Sequence, residues 1–379
     1  MRRTRIAVNT RLLIKNKLDG IGWFTFETLK RITTQHPEVD FFFLFDREPD
    51  PEFIFSNNVT PVVIGPQARH PVLFVLWFEI AVAWKLREIH PDLFLSPDGY
   101  LSLSTKTASL AVMHDLNFEH FPADLPWLVR KYYRFFFPRF AKKAMRIATV
   151  SEYSRADIVT QYGVAAEKID VVYNGANELF KPLPDEMIEQ TRLKFSEGHP
   201  YFLFVGSLHP RKNLARLFLA FDLFSETSAA DIRLLVVGER KWWTKPIREA
   251  YDGMKFKDKV HFCGRLGIDD LCRVTASALA TTYISYFEGF GIPIIESFRS
   301  GVPVITSNVT SMPEVAGDAA LLIDPYDVNS ISDAMQRLAT DNELRSKLIT
   351  KGFGRAELFG WQITADRLWE SIQKSMKQQ

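Results

Sequence analysis

The sequence predicts an α/β protein made of two Rossmann-like, doubly wound domains that face each other across a cleft. Short apolar runs alternate with helical patterns twice along the 379 residues, and a proline-containing, linker-like stretch over 178–184 separates the two series. The length also favours two domains. We therefore expect one domain over 1–178, a second over 179–360, and a final helix over 361–379.

The first half is predicted to contain seven strands. Helical patterns lie between several of them, and Ser151 is a suitable N-cap for the last of these helices. The predicted strands are 5–10, 40–45, 61–64, 92–95, 108–113, 147–150 and 169–172. The predicted helices are 23–33, 72–89, 127–144 and 153–162.

The second half repeats the alternation with six predicted strands. These strands are 201–205, 232–237, 259–262, 279–284, 302–306 and 320–323. Helices between them would make a second parallel sheet, because parallel strands need crossover connections.

Composition narrows the class of protein. Hydrophobic residues make up 46% of the chain, charged residues 24%, and the net charge is +2, so nothing favours a nucleic-acid partner. Cys263 and Cys272 have neither metal-site nor disulfide spacing. The longest apolar stretch, 71–84, is shorter than the roughly 20 residues a spanning helix needs. The basic N-terminus lacks the pattern of a signal peptide. We expect a cytoplasmic protein.

The segment 283–301 has the pattern strand, glycine-punctuated loop, helix, then strand. Ligands of parallel α/β sheets bind beyond the carboxyl ends of strands, where Glu288 is expected, and Glu296 follows one turn into the helix. A helix N-terminus attracts phosphate, and a carboxylate can accept two hydrogen bonds from a sugar diol. The implied ligand is a nucleotide-sugar. The alternative is an ordinary βαβ turn with two solvated glutamates.

The run Phe-Glu-Gly-Phe-Gly-Ile-Pro-Ile-Ile-Glu at 287–296 resembles the Glu-x7-Glu signature of the retaining GT-B glycosyltransferases of family 4. The resemblance implies that Glu288 contacts the donor sugar and Glu296 the ribose. It also implies a GT-B fold whose last helix packs back onto the first domain. The residues between the two glutamates become candidate donor contacts: Gly289, Phe290, Gly291 and Ile292.

A second candidate segment, 204–213, follows the first strand of the second half. Gly206 would let the backbone approach a ligand, and Arg211 and Lys212 would place two cations beside it. Cleavage of a sugar–diphosphate bond builds negative charge on the leaving phosphate, which fixed cations stabilise. The alternative is a solvated basic helix start. The resemblance implies that this pair binds the diphosphate.

The roles of three further residues depend on the resemblance. Arg265 and Leu266 resemble a loop that meets the nucleotide base, although an ordinary strand end fits as well. His114 follows a predicted strand and on pattern alone is a structural hydrogen-bonding residue. The resemblance instead implies that His114 lies near the donor sugar and orients the substrate.

The glycines of the first predicted βα loop, Gly20 and Gly22, are candidates for contact with a phosphate or an acceptor. A lone Gly-x-Gly also fits a tight turn. The family often has another glycine where this chain has Asp19, so the sequence of this loop departs from the family pattern at the expected acceptor contact.

A basic and aromatic stretch covers 130–143. Seven lysines or arginines and no acid lie between Asp124 and Glu152. Such a helix can bind anionic lipid, each charge near the surface contributing ~1 kcal/mol. The alternative is a helix with buried aromatic residues and solvated basic ones. Many relatives act on lipid-linked acceptors, so peripheral contact with the inner face of a membrane is predicted.

The predicted function is that of a retaining glycosyltransferase in cell-surface polysaccharide synthesis. It would move a hexose from a nucleoside diphosphate to a carbohydrate or lipid-linked saccharide, and the resemblance favours mannose from GDP-mannose. No Asp-x-Asp motif is present, so we expect no metal and no cofactor. With no obvious nucleophile, front-face displacement is the mechanistic hypothesis. The alternatives are an epimerase or sugar phosphorylase of the same fold, and a non-catalytic nucleotide-sugar sensor.

Overall fold

The computed structural model describes residues 2–240 and 243–377. The chain divides into two compact units. The first comprises Met1–Gly175 together with Trp361–Gln379, and the second comprises Ala176–Gly360. Each unit contains one parallel β-sheet, which confirms the α/β fold with two Rossmann-like domains.

The first unit has a seven-stranded sheet. Its strands are β1 (Arg5–Asn9), β2 (Asp40–Phe45), β3 (Val59–Val63), β4 (Leu93–Ser96), β5 (Ser109–Met113), β6 (Arg146–Thr149) and β7 (Ile169–Val171). The spatial order is β3-β2-β1-β4-β5-β6-β7, and every neighbouring pair is parallel. The order therefore reverses between β1 and β4.

The helices of this unit fill the connections between its strands. They are α1 (Gly20–Gln35), α2 (Pro71–Val75), a π-helical segment (Leu76–Val82), α3 (Ala83–Ile89), α4 (Asn117–His120), α5 (Trp127–Lys143) and α6 (Glu152–Tyr162). The Ser151 side chain caps α6 by accepting a hydrogen bond from the Ser154 N–H at 3.0 Å, as predicted. Helix α1 begins at Gly20, three residues earlier than predicted, because Asp19 is its N-cap.

The second unit has a six-stranded sheet. Its strands are β8 (Tyr201–Val205), β9 (Arg233–Val237), β10 (Val260–Gly264), β11 (Ala280–Tyr283), β12 (Val304–Ser307) and β13 (Leu321–Ile323). Its helices are α7 (Asp185–Ser196), α8 (Leu214–Thr227), α9 (Lys245–Asp252), α10 (Ile268–Ala276), α11 (Ile292–Arg299), α12 (Met312–Ala316), α13 (Val328–Thr340) and α14 (Asn342–Ala356). The order is β10-β9-β8-β11-β12-β13, and all pairs are parallel.

Both faces of the second sheet are covered. Successive side chains of a strand point to opposite faces, and the strand residues accordingly divide between two hydrophobic clusters. Phe202, Phe204, Leu234 and Val236 belong to one cluster. Tyr201, Leu203, Leu235 and Val237 belong to the other. Burial on both faces explains the continuous apolar runs by which the sequence predicts these strands.

The last helix, α15 (Trp361–Lys377), packs on the first unit. Trp361 is buried and meets Phe24 edge-on, with ring centroids 6.5 Å apart. Trp369 stacks on His36 at 3.7 Å. The Ser371 hydroxyl donates to Asp170 at 2.7 Å, so polar contacts supplement the aromatic ones.

Within residues 2–240 and 243–377, no helix is both long enough and apolar enough to cross a bilayer.

Candidate active site

The carboxyl ends of β8 and β11 are the central feature of the second unit. The strand order reverses between these two neighbours, and ligands of open α/β sheets bind at such a reversal, beyond the carboxyl ends of the strands. The loop after β8 carries Arg211 and Lys212, and the loop after β11 carries Glu288. Topology thus brings together residues that are distant in the sequence.

Glycines at the ends of three adjacent strands shape the first of these loops. Gly206 donates its N–H to the Val237 carbonyl at 3.0 Å, and Gly238 donates its own to Gly264 at 2.8 Å. A Cβ on Gly238 would lie 1.9 Å from the Gly206 carbonyl oxygen, so only glycine fits there. Sequence reasoning predicted Gly206 but missed Gly238. The available signal was a glycine directly after an apolar strand.

The two cations lie on a single 3-10 turn, Pro210–Lys212. His209 caps this turn, its Nδ1 accepting a hydrogen bond from the Arg211 N–H at 3.3 Å. Proline at the first position supports the turn because it has no N–H to leave unpaired. The backbone that presents Arg211 and Lys212 is therefore defined locally.

Asn213, which sequence reasoning missed, anchors the end of this turn. It has a left-handed backbone with φ of 63°, a conformation that asparagine tolerates better than most residues. Its buried amide donates to the carbonyls of Ile284 at 3.1 Å and Pro325 at 2.6 Å. One side chain thus ties the loop after β8 to the loops after β11 and β13.

Glu288 pairs with both cations. Its Oε2 lies 2.6 Å from Arg211 Nη1, and its Oε1 lies 2.6 Å from Lys212 Nζ. Glu288 and Lys212 are buried. Burial on its own would raise the pKa of Glu288, but the charges of Arg211 and Lys212 lower it to about 2. The carboxylate is therefore ionised at neutral pH.

Tyr283 is a further buried member of this cluster that sequence reasoning did not identify. Lys212 Nζ donates to its hydroxyl at 2.9 Å and lies 4.7 Å from the ring centroid. Burial raises the pKa of Tyr283, and the charges of Glu288 and Glu296 raise it further. The phenol is neutral, and both carboxylates are close enough to influence it.

Hydroxyl groups of the loop after β12 hold the Glu288 backbone. The Glu288 N–H donates to Thr310 Oγ1 at 3.3 Å, and the Ser311 hydroxyl donates to the carbonyls of Glu288 and Phe290 at 2.9 and 3.0 Å. Ser307 holds Ser285 in the same way at 2.5 Å. These hydrogen bonds hold the backbone at Glu288 and thereby orient its carboxylate.

The predicted donor segment leads into α11. Gly291 precedes the helix with φ of 115°, and a Cβ there would meet Ile294 Cδ1 at 3.0 Å. The helix begins at Ile292, and Pro293 is its second residue. Gly289 lies in the loop, whereas the Phe290 side chain is buried against Phe359, with ring centroids 5.5 Å apart. Phe290 can therefore meet a ligand only through its backbone.

Glu296 differs from Glu288 in its surroundings. It is half-buried on α11, and its carboxylate makes no hydrogen bond or ion pair with residues 2–240 or 243–377. Burial alone raises the pKa of Glu296 to about 8. The two predicted carboxylates thus differ in protonation near neutral pH, Glu288 being ionised and Glu296 largely protonated.

Arg265 and Leu266 follow β10 at the next strand end. Arg265 is largely exposed, with Nη1 3.9 Å from Glu239 Oε1. Leu266 packs beside the smaller hydrophobic cluster of the second sheet. Among the described residues, no hydrogen bond or ion pair joins either side chain to Arg211, Lys212 or Glu288.

His114 belongs to the first unit, directly after β5. Its Nε2 lies 2.8 Å from the Pro97 carbonyl. A carbonyl only accepts, so Nε2 carries the proton and Nδ1 is an acceptor. Burial lowers the pKa of His114, although the bond to Pro97 opposes this effect. A neutral imidazole that presents an acceptor suits hydrogen bonding to a hydroxyl.

Gly20 and Gly22 lie in the first turn of α1 and not in a loop, which corrects the sequence prediction. The Asp19 carboxylate accepts a hydrogen bond from the Gly22 N–H at 2.9 Å. Because neither glycine has a positive φ, the backbone does not require glycine at either position. The residue that departs from the family pattern acts here as a helix cap.

Sequence reasoning also missed a buried ion pair in the first unit, at the reversal between β1 and β4. Arg11 Nε lies 2.7 Å from Asp98, which also accepts a hydrogen bond from Asn9 at 2.7 Å. The Arg11 guanidinium lies 4.4 Å from the Tyr100 ring centroid. The signal was a polar residue shortly after each of two apolar strands.

In the part of the chain that the structure describes, no group of three or more His, Cys, Asp or Glu side chains could hold a metal ion.

Both halves of the chain match known protein families. Residues 185–355 match the family described as Glycosyl transferases group 1, and residues 18–178 match the family described as Glycosyltransferase Family 4. The chain is 28% identical over 361 residues to the O-antigen chain mannosyltransferase B of Escherichia coli, covering 92% of this chain and 94% of that protein.

A second relative and a solved structure extend the likeness. The O-antigen chain mannosyltransferase RfbU of Salmonella typhimurium is 29% identical over 226 residues, which span 60% of this chain and 59% of that protein. The crystal structure of WaaG, a glycosyltransferase involved in lipopolysaccharide biosynthesis, superimposes with a TM-score of 0.75 at 16% identity, covering 96% of this chain and 98% of that one. That structural likeness concerns the fold, which is GT-B. With both halves matched, the chain belongs to the GT-B glycosyltransferases of family 4, whose second half is a group 1 glycosyl transferase domain.

Proposed function

We propose that this glycosyltransferase moves a hexose, with retention at the anomeric carbon, from a nucleoside diphosphate to a saccharide in cell-surface polysaccharide synthesis. The observation that carries the proposal is the contact of Arg211 and Lys212 with Glu288 at the strand reversal, 2.6 Å for each pair. The site has cations for a diphosphate and carboxylates for sugar hydroxyls, which are the groups that a nucleotide-sugar needs.

The charge balance of the site supports an anionic ligand. Arg211 and Lys212 carry two positive charges and Glu288 one negative charge, while the raised pKa of Glu296, about 8, leaves that carboxyl mostly neutral near pH 7. Among these four side chains one net positive charge remains, and all four are at least partly buried. There a charge 4 Å away is attracted by ~4 kcal/mol at an effective dielectric constant of about 20. A diphosphate that supplies its own negative charge fits this imbalance.

We assign the chemistry to this chain's own residues. Arg211 and Lys212 hold the charge that develops on the departing phosphate, a contribution on the order of several kcal/mol. Glu288, whose carbonyl accepts a hydrogen bond from Ser311, binds sugar hydroxyls and stabilises positive charge at the anomeric carbon. In a front-face displacement the departing phosphate oxygen accepts the proton of the acceptor hydroxyl. With the diphosphate charge balanced by side chains, the proposed reaction uses no metal and no cofactor.

The relatives favour a particular substrate pair. Two relatives named as O-antigen chain mannosyltransferases support mannose as the sugar, and with it GDP-mannose as the donor. A growing, lipid-linked saccharide is the acceptor we propose, with the enzyme in the cytoplasm at the inner face of the membrane. We assign acceptor contacts to the first turn of α1 at Gly20 and Gly22, and substrate orientation to His114.

The first measurement is the melting temperature of the purified chain with GDP-, UDP- and ADP-sugars. A ligand that binds only the native state raises the melting temperature. The donor that stabilises the protein is then incubated with saccharide acceptors, and the anomeric configuration of the product is read by NMR. A glycoside with the donor's configuration is expected. An inverted product, an epimer formed from donor alone, or donor binding without nucleotide release for any acceptor would each overturn the proposal.

A further inference from the structure

We propose that one face of the first unit, formed by the helical stretch 71–84 and by residues 127–139 of α5, is a docking surface for an anionic lipid bilayer. Such a surface would bring the enzyme to a lipid-linked acceptor. In that respect the proposal rests on the proposed function, whereas binding of the surface to lipid does not depend on it.

An apolar stripe runs along the first stretch. Val72, Leu76, Ile80 and Trp84 are 56%, 40%, 61% and 61% exposed, and each is four residues from the next. Three of these large apolar side chains are therefore at least half exposed to water. A monomeric protein rarely exposes such side chains as one contiguous patch. An unpartnered stripe of this kind marks a binding surface.

The helix geometry keeps this stripe straight. At about 100° per residue, a step of four along an α-helix overshoots a full turn by roughly 40°, so a four-residue stripe would wind around the helix. The segment Leu76–Val82 is π-helical, with wider turns closed by i→i+5 hydrogen bonds, which reduces the drift. The opposite side is buried in the core through Trp77, Phe78 and Val82.

Helix α5 supplies the second wall. Trp127 and Phe135 are 59% and 50% exposed, and each has a cation over its ring. Lys131 Nζ lies 3.9 Å from the Trp127 centroid, and the Arg139 guanidinium lies 3.7 Å from that of Phe135. Aromatic rings beside cations are the composition that favours the interface of a membrane.

A groove of about 740 Å³ lies between these two stretches. The side chains that line it include Arg130, Lys131, Arg134 and Arg139, and none of them is acidic. Glu79, the acid within the apolar stretch, does not line the groove, and its carboxylate accepts hydrogen bonds from the N–H groups of Leu103 and Ser104, both at 2.9 Å. The groove is therefore both apolar and positively charged.

These charges select the occupant. Four cations would repel a second copy of the same face, whereas an anionic headgroup layer attracts each of them with ~1 kcal/mol. Tryptophan, phenylalanine and isoleucine side chains would at the same time enter the acyl boundary. A bilayer satisfies both halves of the surface.

The surface differs from the 130–143 stretch predicted from the sequence. Phe140 and Ala141 are fully buried, and Lys143 donates to the Thr105 carbonyl at 2.7 Å. The aromatic side chain at the end of that stretch thus belongs to the core, as the alternative interpretation held, whereas Lys142 is exposed. The other side chains of this stretch that remain exposed are Lys131, Arg134, Phe135 and Arg139, and they meet the first stretch in the groove at 71–75.

The experiment is co-sedimentation of the full chain with vesicles of phosphatidylcholine, alone or mixed with phosphatidylglycerol, at low and high salt. We expect at least tenfold stronger binding to the anionic vesicles, weakened by salt. The double variants Ile80→Ser/Trp127→Ser and Arg130→Glu/Arg134→Glu should each lose at least tenfold. Leu193→Ser and Lys245→Glu are matched controls, since these side chains are 72% and 85% exposed in the second unit, and both should bind as the parent chain does.

Melting temperatures and the donor-induced thermal shift verify that each variant is folded, and they keep this test separate from the proposed function. Equal binding to both vesicle types, or variants that bind like the controls, would overturn the proposal. A concentration-dependent dimer abolished by Ile80→Ser/Trp127→Ser would identify the face as an interface between copies instead. Binding only to vesicles that contain a polyprenyl phosphate would identify it as a site for the acceptor's lipid chain.

Discussion

Lys212 Nζ lies 2.6 Å from Glu288 Oε1, so a buried cation of one loop is paired with a buried carboxylate of another. The two loops follow strands that are neighbours in space but separated in sequence by two other strands. Because both groups are desolvated, removing either one leaves the other as a buried charge without this partner. Stability and the proposed chemistry are therefore coupled at this pair, which makes it suitable for the first test.

Replacing Lys212 by Met should lower turnover at least a hundredfold, because a cation on the leaving phosphate is lost. The same change should lower the free energy of unfolding by about 3–5 kcal/mol, the range for removing one partner of a buried pair. Steady-state kinetics and urea denaturation measure the two effects. The double variant Lys212→Met/Glu288→Gln should regain most of the stability and none of the activity. Recovered turnover in the double variant would contradict the role of Lys212.

Glu288→Gln alone should separate nucleotide binding from sugar transfer. Without the carboxylate, Arg211 and Lys212 leave two net positive charges, so nucleoside diphosphate should bind severalfold more tightly. Transfer should fall at least a hundredfold because the group that holds the sugar hydroxyls is neutral. Calorimetric titration with the nucleotide and a transfer assay with the sugar donor provide the measurements. Parallel losses of both would show instead that Glu288 mainly maintains the loop.

Glu296 should make donor affinity depend on pH. Its pKa in the free protein is about 8, raised by burial, whereas holding a ribose diol as a double acceptor needs the ionised form. Donor binding should therefore release a proton below pH 8, and affinity should increase up to tenfold for each unit from pH 6 to pH 8. Glu296→Gln should bind more weakly at pH 8 and lose this dependence. A pH-independent affinity in the parent chain would contradict the assignment.

The titration of Glu296 should also affect the stability of the protein without any ligand. The folded pKa of about 8 exceeds the ordinary 4.5, so the folded state holds the proton more tightly than the unfolded state. The contribution of Glu296 to stability is thus present below pH 4.5 and is lost as pH rises toward 8. Melting curves of Glu296→Gln should lack this decline. Identical pH profiles for the two proteins would show that Glu296 is better solvated than its burial indicates.

Gly238→Ala should abolish donor binding although residue 238 carries no functional group. The added Cβ would lie 1.9 Å from the Gly206 carbonyl oxygen, so the loop that leads to Arg211 and Lys212 has to move. Gly267→Ala is the matched control, because no atom lies within 4 Å of its added Cβ. Thermal-shift titration with the donor compares the two. Normal binding by Gly238→Ala would mean that the cations do not depend on this loop geometry.

Trp361→Ala should lower the free energy of unfolding by about 3–5 kcal/mol, as for other buried tryptophans replaced by alanine. Trp361 is 5% exposed and contacts Phe24 in the first unit. Ile363→Ala, on the same helix but 40% exposed, should change stability by less than about 1 kcal/mol. Urea denaturation compares them. Equal, small effects would show that the last helix contributes little to the stability of the unit on which it packs.

The sequence by itself determined the alternation of thirteen strands with helices, because residues buried on both faces of a parallel sheet must be apolar in continuous runs. It also identified Arg211, Lys212, Glu288 and Glu296, since charged residues beside glycines after apolar strands are a local signal. Only the tertiary structure decided how these groups meet. The reversal of strand order between β8 and β11 places Glu288 against both cations, and the charges of these cations separate its pKa from that of Glu296, which burial alone raises.

The roles of Gly238, Asn213 and Tyr283 were likewise decided by the tertiary structure, because each depends on a contact with a loop or strand distant in the sequence. The same holds for the lipid-docking surface that we propose. The basic residues of α5 are a local pattern, but the alignment of 72, 76, 80 and 84 depends on a π-helical segment. The groove between 71–75 and α5 depends on which sides of the two helices the core covers. Local patterns specify chemical groups and elements, whereas non-local packing specifies which groups become neighbours and how far water is excluded from them.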